Sequence, residues 1–188
     1  MAARAPALLS NCRITSWQSG DGITFGAVRA IVQDSDSYLW LASDAGLVRF
    51  DGFRFATADL VAGPRKLPAK PLRSVYITRD GSLWAPYGNG RGIYRIFNGE
   101  VRDVFLTEEI TGFVNAMTED RSGAVWVAHD GGLHRFQANR WELMSLPVAS
   151  TQRTLRALDV REDRSGTVWV ATSRGLFRRA ADGGFVKI

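Results

Sequence analysis

Short runs rich in Val, Ile, Leu, Phe and Trp alternate with polar residues along the chain, and turn dipeptides such as Asp80-Gly81 and Ser122-Gly123 separate them. This pattern is typical of β-strands joined by hairpins. No stretch sustains the 3.6-residue period of an amphipathic helix. The pattern therefore predicts an all-β chain of short antiparallel strands with few helices.

The pattern repeats four times. Four tryptophans, Trp40, Trp84, Trp126 and Trp169, lie 44, 42 and 43 residues apart, each within a similar short phrase such as Gly123-Ala124-Val125-Trp126-Val127-Ala128. A repeat of this length indicates one supersecondary unit that buries its apolar surface against neighbouring copies. We expect the four tryptophans to pack in the core between copies, because buried aromatic side chains dominate core energetics.

Each copy reads as an inner strand, the Trp strand, a Gly-Leu-x-Arg strand and an outer strand. Inner strands are predicted at 28–34 and 114–120, and outer strands at 54–57 and 141–144. Four short strands in about 40–45 residues, with an aromatic marker, are typical of a β-propeller blade. We predict an N-terminal segment at 1–24 and four blades near 25–59, 70–106, 112–146 and 154–188.

Turn residues support this division. Gly81, Gly123 and Gly166 precede the Trp strands, where glycine supplies the positive φ of a tight hairpin. Ser37 replaces this glycine in the first copy, so a looser turn is expected there. The later turns carry residues that tolerate left-handed geometry, namely Asp51-Gly52, Asn98-Gly99, Ala138-Asn139 and Asp182-Gly183.

A recurring arginine follows each tryptophan. Arg49, Arg135 and Arg178 lie nine residues after their Trp, and Arg95 is displaced by two because the turn at 87–91 is wider. We expect each to lay its stem on a neighbouring blade or to bond a loop carbonyl, as long charged side chains commonly do.

Composition and charge limit the number of domains, the disulfide content and the kind of partner that the chain is expected to have. The 188 residues suit one domain, and a single cysteine, Cys12, excludes an internal disulfide framework while leaving the compartment open. The net charge is +5 and the pI about 9.9, but basic residues cluster only at Arg65, Lys66, Lys70 and Arg73, among prolines. We interpret this cluster as a stiff solvated loop and expect no nucleic-acid partner.

Other sequence features exclude further classes of function. The apolar run Ala5–Leu9 is too short for a signal-peptide core or a membrane span. No metal-ligand spacing, phosphate loop or nucleophile motif is present. We therefore expect no cofactor and no metal.

Several phrases together resemble a known family. They are 14–17 (ITSW), 21–23 (DGI), 28–34 (VRAIVQD), 38–43 (YLWLAS) and 46–52 (GLVRFDG). They look like the opening of the two-component regulator propeller family, and the resemblance extends over roughly residues 13–188. The chain departs from the family pattern at Ser37 for Gly, at Ile23 for Leu and in the wider turn at 87–91.

The resemblance implies a function and a location. Such repeats form the extracytoplasmic sensor region, periplasmic in the parent receptor, of hybrid histidine kinases and membrane-bound diguanylate cyclases. Family members are similar to seven-bladed propellers followed by a β-sandwich, a membrane helix and an output domain. Four blades are fewer than seven, so we expect the N-terminal part of a larger propeller, truncated before its membrane helix and output domain. Arg13–Trp17 would then supply an outer strand to a preceding or closing blade, and the open blade faces would bind remaining blades or self-associate.

Binding residues concentrate in loops carried on a rigid scaffold, which favours the face formed by the crossovers and the turns after the Trp strands. The candidate ligand-binding residues in these turns are Tyr87, Asn89, Arg91, His129, Asp130 and Arg174. Inner-strand residues around the axis form a second set, namely Arg29, Arg73, Asn115 and Arg156, with the register of the fourth copy left open. Positive charge at Arg65, Lys66, Arg91 and Arg174 favours an acidic oligosaccharide or another small anion as ligand.

An enzymatic alternative stays open, because propellers also host lyases and glycoside hydrolases. Asp120 and Asp163 lie six residues before a Trp, one too many for the Asp box of sialidases. The only histidines, His129 and His134, are five residues apart, and we expect their side chains to diverge. A non-catalytic sensor module is therefore the preferred prediction, and a propeller lyase or hydrolase is the alternative.

Overall fold

The computed structural model describes residues 15–17, 25–57, 67, 70–87, 92–105, 110, 112–147 and 155–188. These residues form sixteen strands in four antiparallel sheets, and none of the described residues is helical. Each sheet contains four strands that follow one another in chain order. The prediction of an all-β chain with four four-stranded sheets is confirmed.

The strands of each sheet are numbered along the chain. Sheet 1 contains β1 (Val28–Gln33), β2 (Leu39–Ser43), β3 (Gly46–Phe50) and β4 (Phe55–Thr57). Sheet 2 contains β5 (Tyr76–Ile77), β6 (Leu83–Tyr87), β7 (Gly92–Phe97) and β8 (Glu100–Phe105). Sheet 3 contains β9 (Val114–Glu119), β10 (Val125–His129), β11 (Gly132–Gln137) and β12 (Arg140–Leu143). Sheet 4 contains β13 (Ala157–Glu162), β14 (Val168–Thr172), β15 (Gly175–Arg179) and β16 (Phe185–Lys187).

Consecutive sheets pack face to face through buried hydrophobic clusters. Trp40 of sheet 1 lies in one cluster with Val75 and Ile96 of sheet 2. Trp84 and Trp126 occupy the same position in the clusters between sheets 2 and 3 and between sheets 3 and 4. Each of these tryptophans is therefore buried by the sheet that follows it, as expected for a core residue.

Trp169 departs from that expectation. Its side chain is half-buried, whereas Val168 and Val170 on the other face of β14 are buried against sheet 3. The face of sheet 4 that carries Trp169 is thus the one that no later described sheet covers.

A carboxylate six residues before each of three tryptophans joins the turn to the indole. The Oδ2 atoms of Asp34, Asp120 and Asp163 accept the indole N–H of Trp40, Trp126 and Trp169 at 2.7, 2.8 and 2.8 Å. In sheet 2 the hydroxyl of Thr78 accepts the N–H of Trp84 at 3.2 Å. These bonds explain why β1 and β9 end one residue earlier than predicted, since the next residue already belongs to the turn.

The turn at Ser37 is as tight as its glycine counterparts, so the expectation of a looser turn is wrong. Ser37 adopts a φ of 68°, and its N–H donates to the carbonyl of Asp34 at 3.1 Å, as that of Gly123 does to Asp120 at 2.9 Å. The carboxylate of Asp34 also accepts the N–H groups of Asp36 and Tyr38. These bonds offset the strain of a left-handed serine.

Two of the recurring arginines lie over the tryptophan of their own sheet, rather than only on a neighbouring sheet or a loop carbonyl as expected. The guanidinium groups of Arg95 and Arg135 lie 5.8 and 5.5 Å from the ring centres of Trp84 and Trp126 in their own sheets. The strand register sets this contact, because each arginine is directly opposite its tryptophan in the pairing. A cation over an indole face is electrostatically favourable.

Trp17, near the N-terminus, packs against the face of sheet 1 that does not face sheet 2. Residues 15–17 form no strand, but the Trp17 ring contacts those of Phe50 and Phe55, with centres 5.0 and 6.0 Å apart. Between sheets 2 and 3, Phe105 makes the same pair of contacts with Phe136 and Trp141, at 4.8 and 5.8 Å. Trp17 therefore lies where the outer strand of a preceding sheet would place an aromatic ring.

Candidate functional site

The first strands of all four sheets surround a cavity of about 430 Å³, within the size range of small-molecule sites. One residue of each sheet lines the cavity from an equivalent position. It lies three residues before the first-strand residue that pairs with the Trp of that sheet. These axial residues are Arg29, Arg73, Asn115 and Leu158.

A β-bulge re-aims three of these side chains. The pairing register slips around Arg29, Asn115 and Leu158, so each of them is the unpaired extra residue of its strand. A bulge of this kind turns a side chain away from the regular alternation of the strand. The three axial residues therefore converge on the cavity.

Leu158 occupies the axial position of sheet 4, so the placement of Arg156 on the axis is wrong. Residues 155–158 match the inner-strand phrase of the other copies, but they lie two residues too far from the next turn. The pairing of Ala157 with Thr172 shows which residues of this strand correspond to those of the other sheets. Arg156 lies at the rim of the cavity, where its Nε donates to Oδ1 of Asp130 at 3.1 Å.

At sheet 1, the Asp44 carboxylate joins the segment before β1 to Arg29 at the edge of the cavity, and we call this arrangement the rim clamp. Its Oδ2 accepts the N–H of Ala27 at 3.0 Å, and its Oδ1 accepts Nη2 of Arg29 at 3.2 Å. These two hydrogen bonds, the one from Ala27 first, hold the pKa of Asp44 below its usual range. The carboxylate is therefore ionised at neutral pH and neutralises Arg29.

Asp130 is the equivalent clamp in sheet 3. Its Oδ2 accepts the N–H of Phe113 at 3.1 Å, and its Oδ1 accepts Nδ2 of Asn115 at 3.2 Å as well as Nε of Arg156. Burial raises the pKa of Asp130, but these hydrogen bonds together outweigh burial and lower it. Asn115 also donates to the carbonyl of Ala157 at 2.9 Å, which ties sheet 3 to sheet 4.

Arg73 is the rim cation that no described carboxylate neutralises. Its guanidinium lies 3.9 Å from the ring centre of Phe113 in the next sheet, and its side chain is exposed. Arg29 and Arg156 are paired with Asp44 and Asp130. Among the described rim residues, the uncompensated charge is therefore the positive charge of Arg73, held in place by a cation–π contact.

Gly112 allows the close approach of Asp130. Its φ is +73°, and an added Cβ would lie 2.6 Å from the Asp130 Cβ. We expect Gly112→Ala to lower the free energy of unfolding by about 1–3 kcal/mol through left-handed strain and crowding. Gly81→Ala is the matched control, because Gly81 has a φ of +81° with no atom within 4 Å of the added Cβ. Equal losses in urea unfolding would show that the contact with Asp130 contributes nothing.

The structure places the predicted turn residues differently. Tyr87 and His129 are buried between sheets, and Arg174 is half-buried with its N–H bonded to Oγ1 of Thr172. Asp130 alone of the predicted turn residues is described at the cavity rim, together with the predicted axial residues Arg29, Arg73 and Asn115. Asn89, Arg91, Arg65 and Lys66 lie outside the described residues.

The two histidines converge, which corrects the expectation that they diverge. His129 Nε2 and His134 Nδ1 are 2.8 Å apart, and both rings are buried. His134 is paired with Val127, two residues before His129 on the same strand face, so the tight hairpin places both rings on one side. The N–H of Gly131 donates to His129 Nδ1 at 3.1 Å, so Nδ1 is an acceptor without a proton. The ring proton of neutral His129 is therefore on Nε2, which donates to Nδ1 of His134.

Sequence reasoning missed the rim clamp, although its signal is present. An aspartate four residues after the Trp and a glycine two residues before the first strand occur together in sheets 1 and 3, as Gly26 with Asp44 and Gly112 with Asp130. Within the described ranges, no group of His, Cys, Asp and Glu residues could hold a metal ion, and no helix could cross a membrane.

Solved structures share this architecture at low sequence identity. The chain matches virginiamycin B lyase from Staphylococcus aureus, an inactive H270A form with quinupristin, with a TM-score of 0.67 at 13% identity over 86% of this chain and 55% of that one. It matches the extracellular domain of BT4673 from B. thetaiotaomicron, described as a hybrid two-component system, with a TM-score of 0.58 at 20% identity over 88% and 28%. The WD40 β-propeller domain of Doa1 matches with a TM-score of 0.62 at 15% identity over 84% and 53%.

These matches concern the fold. The chain spans about half the length of the lyase and of the Doa1 domain, and about a quarter of the BT4673 domain. No family model matches the chain, and no curated protein does. The four-sheet array is a β-propeller fold of four four-stranded blades, and its structural neighbours include the extracellular domain of a two-component system.

Proposed function

We propose that the chain is a non-catalytic ligand-sensing module of a bacterial signal-transduction receptor, of the two-component or cyclic-di-GMP type. The ligand binds at the rim of the axial cavity, on the periplasmic side of the membrane in the parent receptor. The observation that carries the proposal is Arg73, a cation positioned by Phe113 at the rim and lacking a described carboxylate partner. The resemblance of the repeats and the BT4673 neighbour support the receptor context.

The chemistry of the rim favours an acidic oligosaccharide. A guanidinium whose face rests on an aromatic ring keeps its N–H edge available for a bidentate carboxylate contact. Beside it, the amide nitrogen of Asn115 is bonded to Asp130 and Ala157, which fixes the orientation of its amide oxygen. That oxygen accepts a sugar hydroxyl, so one uronic-acid unit satisfies both side chains.

The lyase or hydrolase alternative finds little support at the described rim. A general acid needs a pKa near the working pH, whereas hydrogen bonds lower the pKa of both Asp44 and Asp130. His129 and His134 are buried and bonded to each other rather than placed in the axial cavity.

Calorimetric titration with an oligogalacturonate and with a neutral oligosaccharide of equal length tests this proposal. We expect binding of the acidic sugar, weakened about tenfold or more by Arg73→Gln, because a hydrogen bond to a charged group contributes about 1.5–3 kcal/mol. Arg102→Gln is the matched control, an exposed arginine of sheet 2 paired with Glu100 away from the axis. Equal binding of both sugars, or equal effects of the two substitutions, would contradict the proposal.

A further inference from the structure

Two of the three interfaces between consecutive sheets contain the same ion pair, beside the turn that precedes the Trp strand. The backbone N–H of Arg79 in sheet 2 donates to Glu119 of sheet 3 at 2.7 Å, and its Nε lies 3.3 Å from the same carboxylate. Arg121 of sheet 3 makes both contacts with Glu162 of sheet 4, at 3.1 and 3.4 Å. We call Arg79 and Arg121 the interface arginines.

The guanidinium of each interface arginine also binds backbone oxygens of the next sheet. Nη2 of Arg121 donates to the carbonyls of Asp163 and Arg164 at 3.4 and 2.9 Å. The guanidinium of Arg79 donates in the same way to the carbonyls of Asp120 and Arg121. At both interfaces a guanidinium therefore joins the turns of two consecutive sheets, through one carboxylate and two carbonyl oxygens.

The interface between sheets 1 and 2 lacks this group. Ser35 stands at the position of the interface arginines, because it directly follows the indole acceptor Asp34. Ile77, the last residue of β5, stands at the position of their glutamate partners. Ser35 and Ile77 both line a cavity of about 290 Å³ between the two sheets. The cavity therefore lies where a guanidinium is bound at the other two interfaces.

The lining of this cavity is acidic. Among the described residues it contains no lysine or arginine but three aspartates, namely Asp34, Asp36 and Asp80. Burial raises the pKa of Asp80, but hydrogen bonds, those from Thr78 and Ser82 first, lower it to about 2, so this carboxylate is ionised at neutral pH. Asp80 pairs with Arg95 at 2.7 Å, whereas no described cation pairs with the exposed Asp36. The negative charge of the cavity is therefore only partly neutralised.

The remaining side chains of the lining are mainly apolar. They include Trp40, Leu83 and Ile96, which belong to the hydrophobic cluster between sheets 1 and 2. In the part of the chain that the structure describes, no group of acidic residues could hold a metal ion, which favours an organic cation. A cation on an alkyl stem fits both parts of the lining, because long cationic side chains bury their stem on apolar surface and keep their charged end in a polar environment.

We infer that this cavity is a binding site for an alkylguanidinium group, the side-chain chemistry of arginine, carried by another molecule. The guanidinium takes the place of the missing interface arginine, with its charge beside Asp36 and Asp80. The carbonyl of Asp120 accepts both a turn N–H and an interface arginine. The equivalent carbonyl of Thr78, which accepts the N–H of Gly81 at 2.8 Å, has a second lone pair for the ligand. No residue lines both this cavity and the axial one, so the site is independent of the proposed sensor site.

Titration of the full chain with N-acetyl-argininamide and with N-acetyl-citrullinamide, followed by amide chemical shifts, tests the site. Citrulline has the same stem, with a neutral urea in place of the guanidinium. We expect saturable shift changes at Ser35, Gly81 and Gly99 with the arginine compound. The citrulline compound should bind about tenfold or more weakly, because hydrogen bonds to a charged group are stronger than neutral ones. A pentapeptide with one central arginine that binds more tightly than the amide would indicate a protein segment as the source of the group, and equal binding would indicate a small molecule.

Ser35→Arg provides a guanidinium from the chain itself at the position of the interface arginines. We expect this variant to bind the arginine compound at least about tenfold more weakly, because its own side chain occupies the cavity. Ser145→Arg is the matched control, because it adds the same charge at an exposed position after β12, outside the cavity. Asp36→Asn removes the charge of an exposed side chain without changing its size, and it should weaken binding about two- to fivefold.

Three results would overturn the inference. The first is the absence of saturable shift changes, or equal binding of the arginine and citrulline compounds. The second is equal affinity of the Ser35→Arg and Ser145→Arg variants, which would place the bound group elsewhere. The third is the same set of shift changes with calcium chloride, which would identify the cavity as a site for an inorganic cation.

Discussion

Trp126→Ala is expected to lower the free energy of unfolding by about 3–5 kcal/mol, the usual cost of deleting a buried aromatic side chain. Trp126 is completely buried between sheets 3 and 4, where its ring meets that of Phe185 at 6.0 Å in an edge-on contact. The substitution opens a cavity at the interface and removes one of the hydrogen-bond donors to the Asp120 carboxylate. Denaturant unfolding followed by circular dichroism measures the loss.

Trp169→Ala is the matched control for this prediction. Trp169 holds the same position in sheet 4 and donates to Asp163 at the same distance of 2.8 Å, but it is half-buried. We expect a loss clearly smaller than that of Trp126→Ala. A Trp126→Ala loss below about 1 kcal/mol, or equal losses in both variants, would show that packing between sheets is not the source of the stability.

Asp120→Ala is expected to cost about 3 kcal/mol, the upper part of the range for hydrogen bonds to a charged group. The buried carboxylate accepts the N–H groups of Ser122 and Ala124 at 2.9 and 3.1 Å and the indole N–H of Trp126 at 2.8 Å. Alanine leaves these donors without this acceptor, and the bonds from Ala124 and Trp126 are buried. Asp36→Ala is the control, because the Asp36 side chain is exposed in the equivalent turn of sheet 1.

The pH dependence of stability provides a second measurement on the same variant. Burial raises the pKa of Asp120, but the bonds from Ser122, Trp126 and Ala124 outweigh it and lower the pKa below 3.8. The unfolded chain therefore binds the proton more readily, so the contribution of Asp120 is full above the ordinary pKa and is lost as pH falls through the lowered one. Asp120→Ala should flatten the acid-induced loss of stability relative to Asp36→Ala. Parallel pH profiles for the two variants would contradict this assignment.

The strand pattern and turn chemistry predict the four sheets because both are local properties of the sequence. The tryptophan of each copy belongs to a strand whose length, turns and register follow from neighbouring residues, so the core positions of Trp40, Trp84 and Trp126 are predictable. Trp169 was not, because its exposure depends on whether another sheet follows, and no local pattern carries that information.

The candidate site was predicted less completely for the same reason. The bulge that aims Asn115 at the cavity and the register that brings Leu158 there both depend on pairing with the second strand. The buried contact of His129 with His134 depends on which strand face a tight hairpin gives to each ring. Turn position predicts Asp130 as a loop residue, but its role as an acceptor for Phe113, Asn115 and Arg156 depends on three elements that meet only in the folded structure.

The aspartate-to-indole bonds have a consequence for how the chain folds. Each of them closes a loop of only six residues, as between Asp120 and Trp126, so we expect the hairpin to form before its contacts with another sheet. Contacts between sheets, such as that of Arg79 with Glu119, span about one repeat, so we expect them to form afterwards. Folding can therefore nucleate in any sheet and spread to its neighbours along the array. Substitutions at the interfaces should mainly speed unfolding, whereas substitutions in the aspartate turns should mainly slow folding.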